Sequence, residues 1–240
     1  MNTTTLKKEI LYFSHKLYQK GFVANHDGNI SIKIASRILA TPTSQSKGDI
    51  TEEMLILLDE KGIKISGKYN VFSEINLHLA SYNLRKDIQA VIHAHPPFTT
   101  AFACSGKSLE KIFIAEAIIS LGKEIPLVPF IPPNCPETEK TLSQYLSHTD
   151  VLLLENHGVL AVGKNLAQAY YRLELVEHLA QIEWHSKALG GIKPLPEKTV
   201  QKLLEKRDQL GLGQPSLSKN LDLKGIIHEE LTKYLSISDS

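Results

Sequence analysis

The sequence predicts an α/β sandwich, with antiparallel strands covered by helices on both faces. Three observations predict it. Short alternating apolar runs are separated by polar turns, the mark of antiparallel strands. Segments with apolar residues at helical spacing are interspersed among them. The chain of 240 residues, 42% hydrophobic and 22% charged, is long enough for one sizeable core.

The elements follow in order. Leu6, Ile10, Phe13 and Leu17 keep helical spacing until Gly21 ends it. Asn29 to Ile34 and Ile38 to Thr41 alternate as strands. Leu55 to Leu58 and Ile63 to Ser66 flank Asp59-Glu60-Lys61-Gly62, a hairpin turn. Ser73 is expected to cap a helix running to about Leu84, with Ile75, Leu79 and Tyr82 on one face. Val91 to His95 is the next strand, and Pro97 suits the first turn of the helix after it. Glu116 to Leu121 reads ambiguously. Ile125 to Ile131 reads as a strand, Thr138 to Leu146 as a helix and Val151 to Glu155 as a strand. Asn156-His157-Gly158 is a break before Val159 to Val162. Asn165 should cap a long helix, with Gln168 as its capping-box partner and Leu166, Tyr170, Leu173, Val176, Ala180 and Trp184 on its buried side. Gly190-Gly191 stops it. A helix is expected from Pro196 to Leu210, a linker over Gly211 to Ser218 and a last helix over Ile226 to Leu235. This divides the chain into a main domain, 1–190, and a helical extension, 191–240.

Composition excludes several classes. A formal net charge of +1 favours neither nucleic acid nor membrane surfaces. No apolar run reaches the roughly 18 residues of a membrane span, and no signal-type segment follows the N-terminal lysines. Cys104 and Cys135 are the only cysteines, too few for a disulfide framework, so a reducing, cytoplasmic compartment is expected. Cys104 reads as a small core residue and Cys135 as a loop residue.

His93 and His95 carry the chemistry. Side chains alternate along a strand, so both point to one face. Alone, such a pair fits a surface as well as a metal site. His157 adds a third imidazole at a strand end, beside a glycine that allows a sharp turn. Three histidines with an open position suit a catalytic zinc site better than a closed structural one. Glu74, at the start of the helix feeding the His93 strand, is a candidate acidic partner. Asp87, Glu116 and Glu155 compete with it, and His78 lies one turn further on. Gly28, Asn29 and Ser31 form one stretch of hydrogen-bond donors, Thr43 and Ser44 a second, and Ser73 a third at a helix start. Singly each is turn or cap chemistry; together they suggest a phosphate site, to which Lys47 could add charge.

The ordered set Gly28-Asn29-x-Ser31, Thr41-Pro42-Thr43, Ser73-Glu74, His93-Ala94-His95 and Asn156-His157-Gly158 resembles the class II aldolase/adducin family, over about Leu6 to Leu189. The resemblance implies a three-layer α/β/α sandwich around a mostly antiparallel sheet, assembled as a homotetramer with sites at subunit interfaces. It implies one Zn2+ held by Glu74, His93, His95 and His157, with cobalt, manganese and iron as other candidates. Glu74 would be both ligand and catalytic acid/base. Gly28, Asn29, Ser31, Thr43, Ser44 and Ser73 would take the phosphate of a small sugar. The implied reaction is cleavage of a fuculose-phosphate-like ketose 1-phosphate to dihydroxyacetone phosphate and an aldehyde, with the metal stabilising the enediolate charge. A sugar-phosphate dehydratase or 4-epimerase, acting on methylthioribulose or ribulose phosphate, is the alternative. Adducin heads, which lack the zinc ligands, offer a non-enzymatic one. Two departures stand out. Phe72 replaces a serine of the family's Ser-Ser pair, and Ser44 replaces a glycine. The family aldolases' catalytic tyrosine, given by a neighbouring subunit, has no counterpart near Lys111-Ile112-Phe113. The tyrosine's role is left unassigned; Glu116 is a candidate substitute, because related dehydratases carry an acidic catalytic residue near there.

Overall fold

The computed structural model describes residues 3–109 and 112–212. Eight strands form one sheet in the order β4-β3-β2-β1-β5-β8-β7-β6. They span Asn29–Ile34 (β1), Arg37–Ala40 (β2), Ile56–Asp59 (β3), Lys64–Ser66 (β4), Ala90–Ala94 (β5), Leu127–Val128 (β6), Val151–Leu154 (β7) and Gly158–Gly163 (β8). Every pairing is antiparallel except β6 with β7. Helices cover both faces, as expected. On one face lie α1 (Thr3–Gln19), α3 (Pro97–Cys104), α4 (Ala115–Leu121), α6 (Leu166–Ser186) and α7 (Glu197–Gln209). On the other lie α2 (Ile75–Leu84) and α5 (Thr138–Leu146).

Strand alternation divides the core between the layers. Ile92 and Ala90 of β5 pack toward α6, while Val91 packs toward α2. His93 therefore faces the α2 side, and so does Ser31, whose neighbours Ile30 and Ile32 face away. Pairing of Asn29 with His93 brings the start of β1 beside the end of β5. The α1 stop and the Asp59 hairpin are as predicted: Gly21 and Gly62 take φ of +68° and +81°. Asn165 Oδ1 accepts from Gln168 N at 2.8 Å. The reciprocal bond goes from Lys164 N to Gln168 Oε1 at 2.8 Å, one residue earlier than a capping box prescribes.

Four expectations need correction. The strand from Ile125 shrinks to Leu127–Val128, because Pro126 and Pro129 bracket it and neither can donate to a ladder. Ser73 caps nothing: α2 begins at Ile75 with Glu74 at its N-cap and no side-chain cap bond. Trp184 is 57% exposed, since the last turns of α6 run past the sheet. Cys104, the final residue of α3, is exposed as well. The ambiguous segment near Glu116 is helical. Helix α7 packs on α4 and buries Val200 in the main core. The last helix expected from the sequence, and most of the linker before it, lie outside the described residues.

Candidate metal centre

Three segments meet beyond the ends of β5 and β7. His93 is the penultimate residue of β5, and His95, just past the strand's end, follows it on the same side. His157 sits in the tight turn between β7 and β8. Asn156 takes the left-handed conformation there, φ +53°, which asparagine tolerates. The adjacent glycine matters for space instead: a methyl at Gly158 would run into His95 Cδ2 and the Ala94 carbonyl. Glu74 enters from the start of α2, its carboxylate turned into the site.

One nitrogen from each of His93, His95 and His157 lies within 4.8 Å of the others. Glu74 Oε1 accepts from His157 Nε2 at 2.6 Å, and Oε2 lies 3.6 Å from His93 Nε2. Burial works to raise the Glu74 carboxyl. The His157 hydrogen bond, the His93 and His157 charges and the Asn29 hydrogen bond outweigh it and hold the group well below the usual carboxylate range. His93 is fully buried and its pKa is pushed down by that burial, with Glu74 opposing.

Tautomers follow from the partners. His93 Nδ1 lies 3.0 Å from the Val159 carbonyl, and His95 Nδ1 lies 2.9 Å from Asp27 Oδ2. Both partners only accept, so both Nδ1 atoms carry the proton. The two Nε2 atoms, 3.0 Å apart, then face each other with lone pairs. A shared divalent cation satisfies that arrangement. Three imidazoles and a carboxylate are a donor set that zinc accepts.

The sequence reasoning missed Asp27. It accepts from Ala24 N at 2.7 Å while holding His95. An aspartate directly before the Gly28-Asn29 turn was the available signal. Gly28 itself is required: it takes φ +69°, and a Cβ there would sit 3.0 Å from the His93 carbonyl.

The expected phosphate residues divide. Ser73 is exposed at the α2 start, and Thr43 and Ser44 are accessible in the loop after β2. Ser44 takes φ +58°, which explains why a glycine is at home there. Asn29 and Ser31 are corrections. Asn29 is buried with its amide between Glu74 and His78, and the Ser31 hydroxyl is buried between His78 and Tyr82. His78 faces Asn29 and Ser31 rather than the three histidines. Asp87 pairs with Arg85, and Glu155 accepts from Phe130 N. Glu116 is exposed on α4, which packs on the opposite face of the sheet from α2. Lys47 is 1% exposed, and its ammonium donates to the Gln45 carbonyl at 2.9 Å. Burial pushes it down to about 8, with Asp27 and Glu74 opposing.

No helix among the described residues is long and apolar enough to cross a membrane. Known proteins resemble this chain in sequence and fold. The Class II Aldolase and Adducin N-terminal domain matches residues 8–184. An L-fuculose phosphate aldolase of Methanococcus maripaludis is 35% identical over 71% of this chain and 91% of its own length. A 3-oxo-tetronate 4-phosphate decarboxylase of Haemophilus influenzae is 28% identical over 76% and 88%. A solved L-fuculose 1-phosphate aldolase superposes with a TM-score of 0.77 at 27% identity, covering 87% of this chain and 98% of that one. The chain belongs to the class II aldolase and adducin family.

Proposed function

We propose that this chain is a zinc-dependent aldolase that cleaves a ketose 1-phosphate of the fuculose-phosphate kind to dihydroxyacetone phosphate and an aldehyde. The observation that carries the reading is the pair of Nε2 lone pairs of His93 and His95, 3.0 Å apart, with His157 and Glu74 closing the same space. A bound divalent cation would supply Lewis acidity for the negative charge that cleavage leaves on the ketose. The M. maripaludis relative supports the substrate class.

The chain's residues divide the remaining work. Cleavage breaks the C3–C4 bond and leaves its electron pair on the dihydroxyacetone-phosphate half as an enediolate. The C4 hydroxyl loses its proton and becomes the aldehyde. Glu74, kept ionised at rest by its surroundings, is suited to remove the C3 proton in the condensation direction; in cleavage it first takes up a proton from solvent and then hands it to C3. Glu116, carried on α4, is the proposed acidic group for the C4 hydroxyl proton, reaching the site of a neighbouring subunit in a homotetramer. Thr43, Ser44 and Ser73 donate to the phosphate. Lys47 brings the charge to that side, in place of the hydroxyl lost where Phe72 stands. Anchoring the phosphate fixes the reacting carbons and contributes binding energy away from the bond that breaks. The same reading makes this a cytoplasmic enzyme of sugar-phosphate metabolism.

The decarboxylase relative favours one second reading, loss of carbon dioxide from a 3-oxo acid phosphate, which also leaves an enediolate. A panel of fuculose, ribulose and methylthioribulose 1-phosphates and a 3-oxo-tetronate 4-phosphate separates them. The expected product is dihydroxyacetone phosphate from at least one ketose, abolished by a chelator. Carbon dioxide released from the 3-oxo-tetronate 4-phosphate with no ketose cleaved, or a dehydrated ketone or an epimer as the only product from the ketoses, would overturn the assignment.

A further inference from the structure

Behind Glu74 runs a buried polar chain that the proposed reaction leaves unused. Strand alternation puts Asn29 and Ser31 on the face of β1 that α2 covers. His78 and Tyr82, one helical turn apart, lie over them. Asn29 Nδ2 donates to Glu74 Oε2 at 2.7 Å. Asn29 Oδ1 lies 2.6 Å from His78 Nε2, and His78 Nδ1 lies 2.6 Å from Ser31 Oγ. Tyr82 Oη lies 2.8 Å from Ser31 Oγ and donates to the Ser31 carbonyl at 3.0 Å.

Counting protons gives the chain a direction. The Glu74 carboxylate only accepts, so Asn29 must turn its NH2 toward it. The Asn29 carbonyl then faces His78, which must donate from Nε2. His78 is completely buried and stays neutral, burial lowering it to about 3 against the opposing charge of Glu74. Its Nδ1 is therefore an acceptor, and the Ser31 hydroxyl is the donor that meets it. The reversed amide would set the Asn29 oxygen 2.7 Å from the carboxylate, acceptor against acceptor, and leave His78 Nε2 without an acceptor.

We propose that His78 is a positioning residue: backed by Ser31 and Tyr82, it fixes the Asn29 amide with its NH2 toward Glu74 and so aims the carboxylate. This rests on the reading of Glu74 as acid/base. The hydrogen bonds of His78 go to Asn29 and Ser31, so its hydrogen-bonded route to Glu74 passes through Asn29.

A double-mutant cycle on the zinc-loaded full chain tests the route. His78→Leu is expected to lower kcat about 10- to 100-fold, the range for hydrogen bonds to charged groups, with KM and bound zinc unchanged. His78→Gln, which keeps a donor near the Nε2 position, should recover most of that loss. In an Asn29→Ala background, His78→Leu should change kcat less than about 2-fold. An equal loss in both backgrounds, or unchanged kcat in the single variant, would overturn the proposal. If His78→Leu does not fold, Tyr82→Phe replaces it: a several-fold loss of kcat that vanishes in the Asn29→Ala background is expected, and additivity overturns. The 15N signature of His78 in the metal-free protein gives a reading without turnover. A neutral Nε2–H tautomer is expected, and an Nδ1–H tautomer contradicts the chain. If Glu74→Gln turns over normally, the reading of Glu74 has failed instead, whatever His78 does.

Discussion

Strand β7 has a charged cluster at each end, and the two differ in kind. At its start, Asp150 is 1% exposed and meets three arginines. Arg85 reaches it at 3.0 Å, Arg172 at 2.7 Å and Arg207 at 2.8 Å. The spare guanidinium donors go to the carbonyls of Leu146, Thr149, Val162 and Ile119, and Asp87 binds Arg85 with both oxygens. That end is satisfied by the chain's own atoms and ties α2, β7, α6 and α7 together. Beyond the other end, His93 and His95 turn lone pairs toward each other and Glu74 is drawn among them. The lesson is that completeness separates the clusters. Closed charges hold a fold together, and converging acceptors describe a place for a cation.

The largest expected contrast comes from removing the metal. Chelation should abolish product release and leave the folded structure, with activity returning on added zinc, as checked by a coupled product assay and circular dichroism. An apoprotein that keeps its turnover would place the chemistry elsewhere. Next is the closed end. Asp150→Ala leaves three buried guanidinium groups short of their shared carboxylate and should cost about 3–5 kcal/mol in denaturant unfolding. Zinc affinity measured below the unfolding transition should not change.

Smaller effects sharpen the open end. Asp27→Ala should weaken zinc binding about 10- to 100-fold in chelator competition, and Asp27→Asn, which still accepts from His95, should lose less. Lys47 gives a pH test with two signs. Its pKa falls from 10.5 to about 8 in the folded chain. The ammonium is lost above about pH 8, so kcat/KM for the phosphorylated substrate should fall through that pH. Between about 8 and 10.5 the unfolded chain binds the extra proton, so the stability contributed by Lys47 should rise over the same window. Lys47→Met should remove both trends.

The open end was partly legible in the sequence because its main ligands sit where local rules apply. Alternation sends His93 and His95 one way, and the Asn156-His157-Gly158 break announces a turn. The sheet order could not be read locally, but the alternation of strands with amphipathic helices gave the layers. Asp27 was hidden because its role depends on Asn29 pairing with His93, a contact between distant segments. Ser31 misled for a related reason. Its hydroxyl is taken up by His78 and Tyr82 of α2, a helix more than forty residues further along the chain. Trp184 fits the helical period of α6, but periodicity does not say where the sheet beneath a long helix ends. The arginine cluster draws its partners from four separate elements, so no motif announces it.

The central claim is that the open end holds a metal and that Glu74 moves the proton beside it. Its most direct test is Glu74→Gln, with bound zinc and dihydroxyacetone phosphate release measured on the same samples as the parent chain. The account predicts zinc largely retained and cleavage abolished. Normal cleavage by the glutamine variant would contradict it.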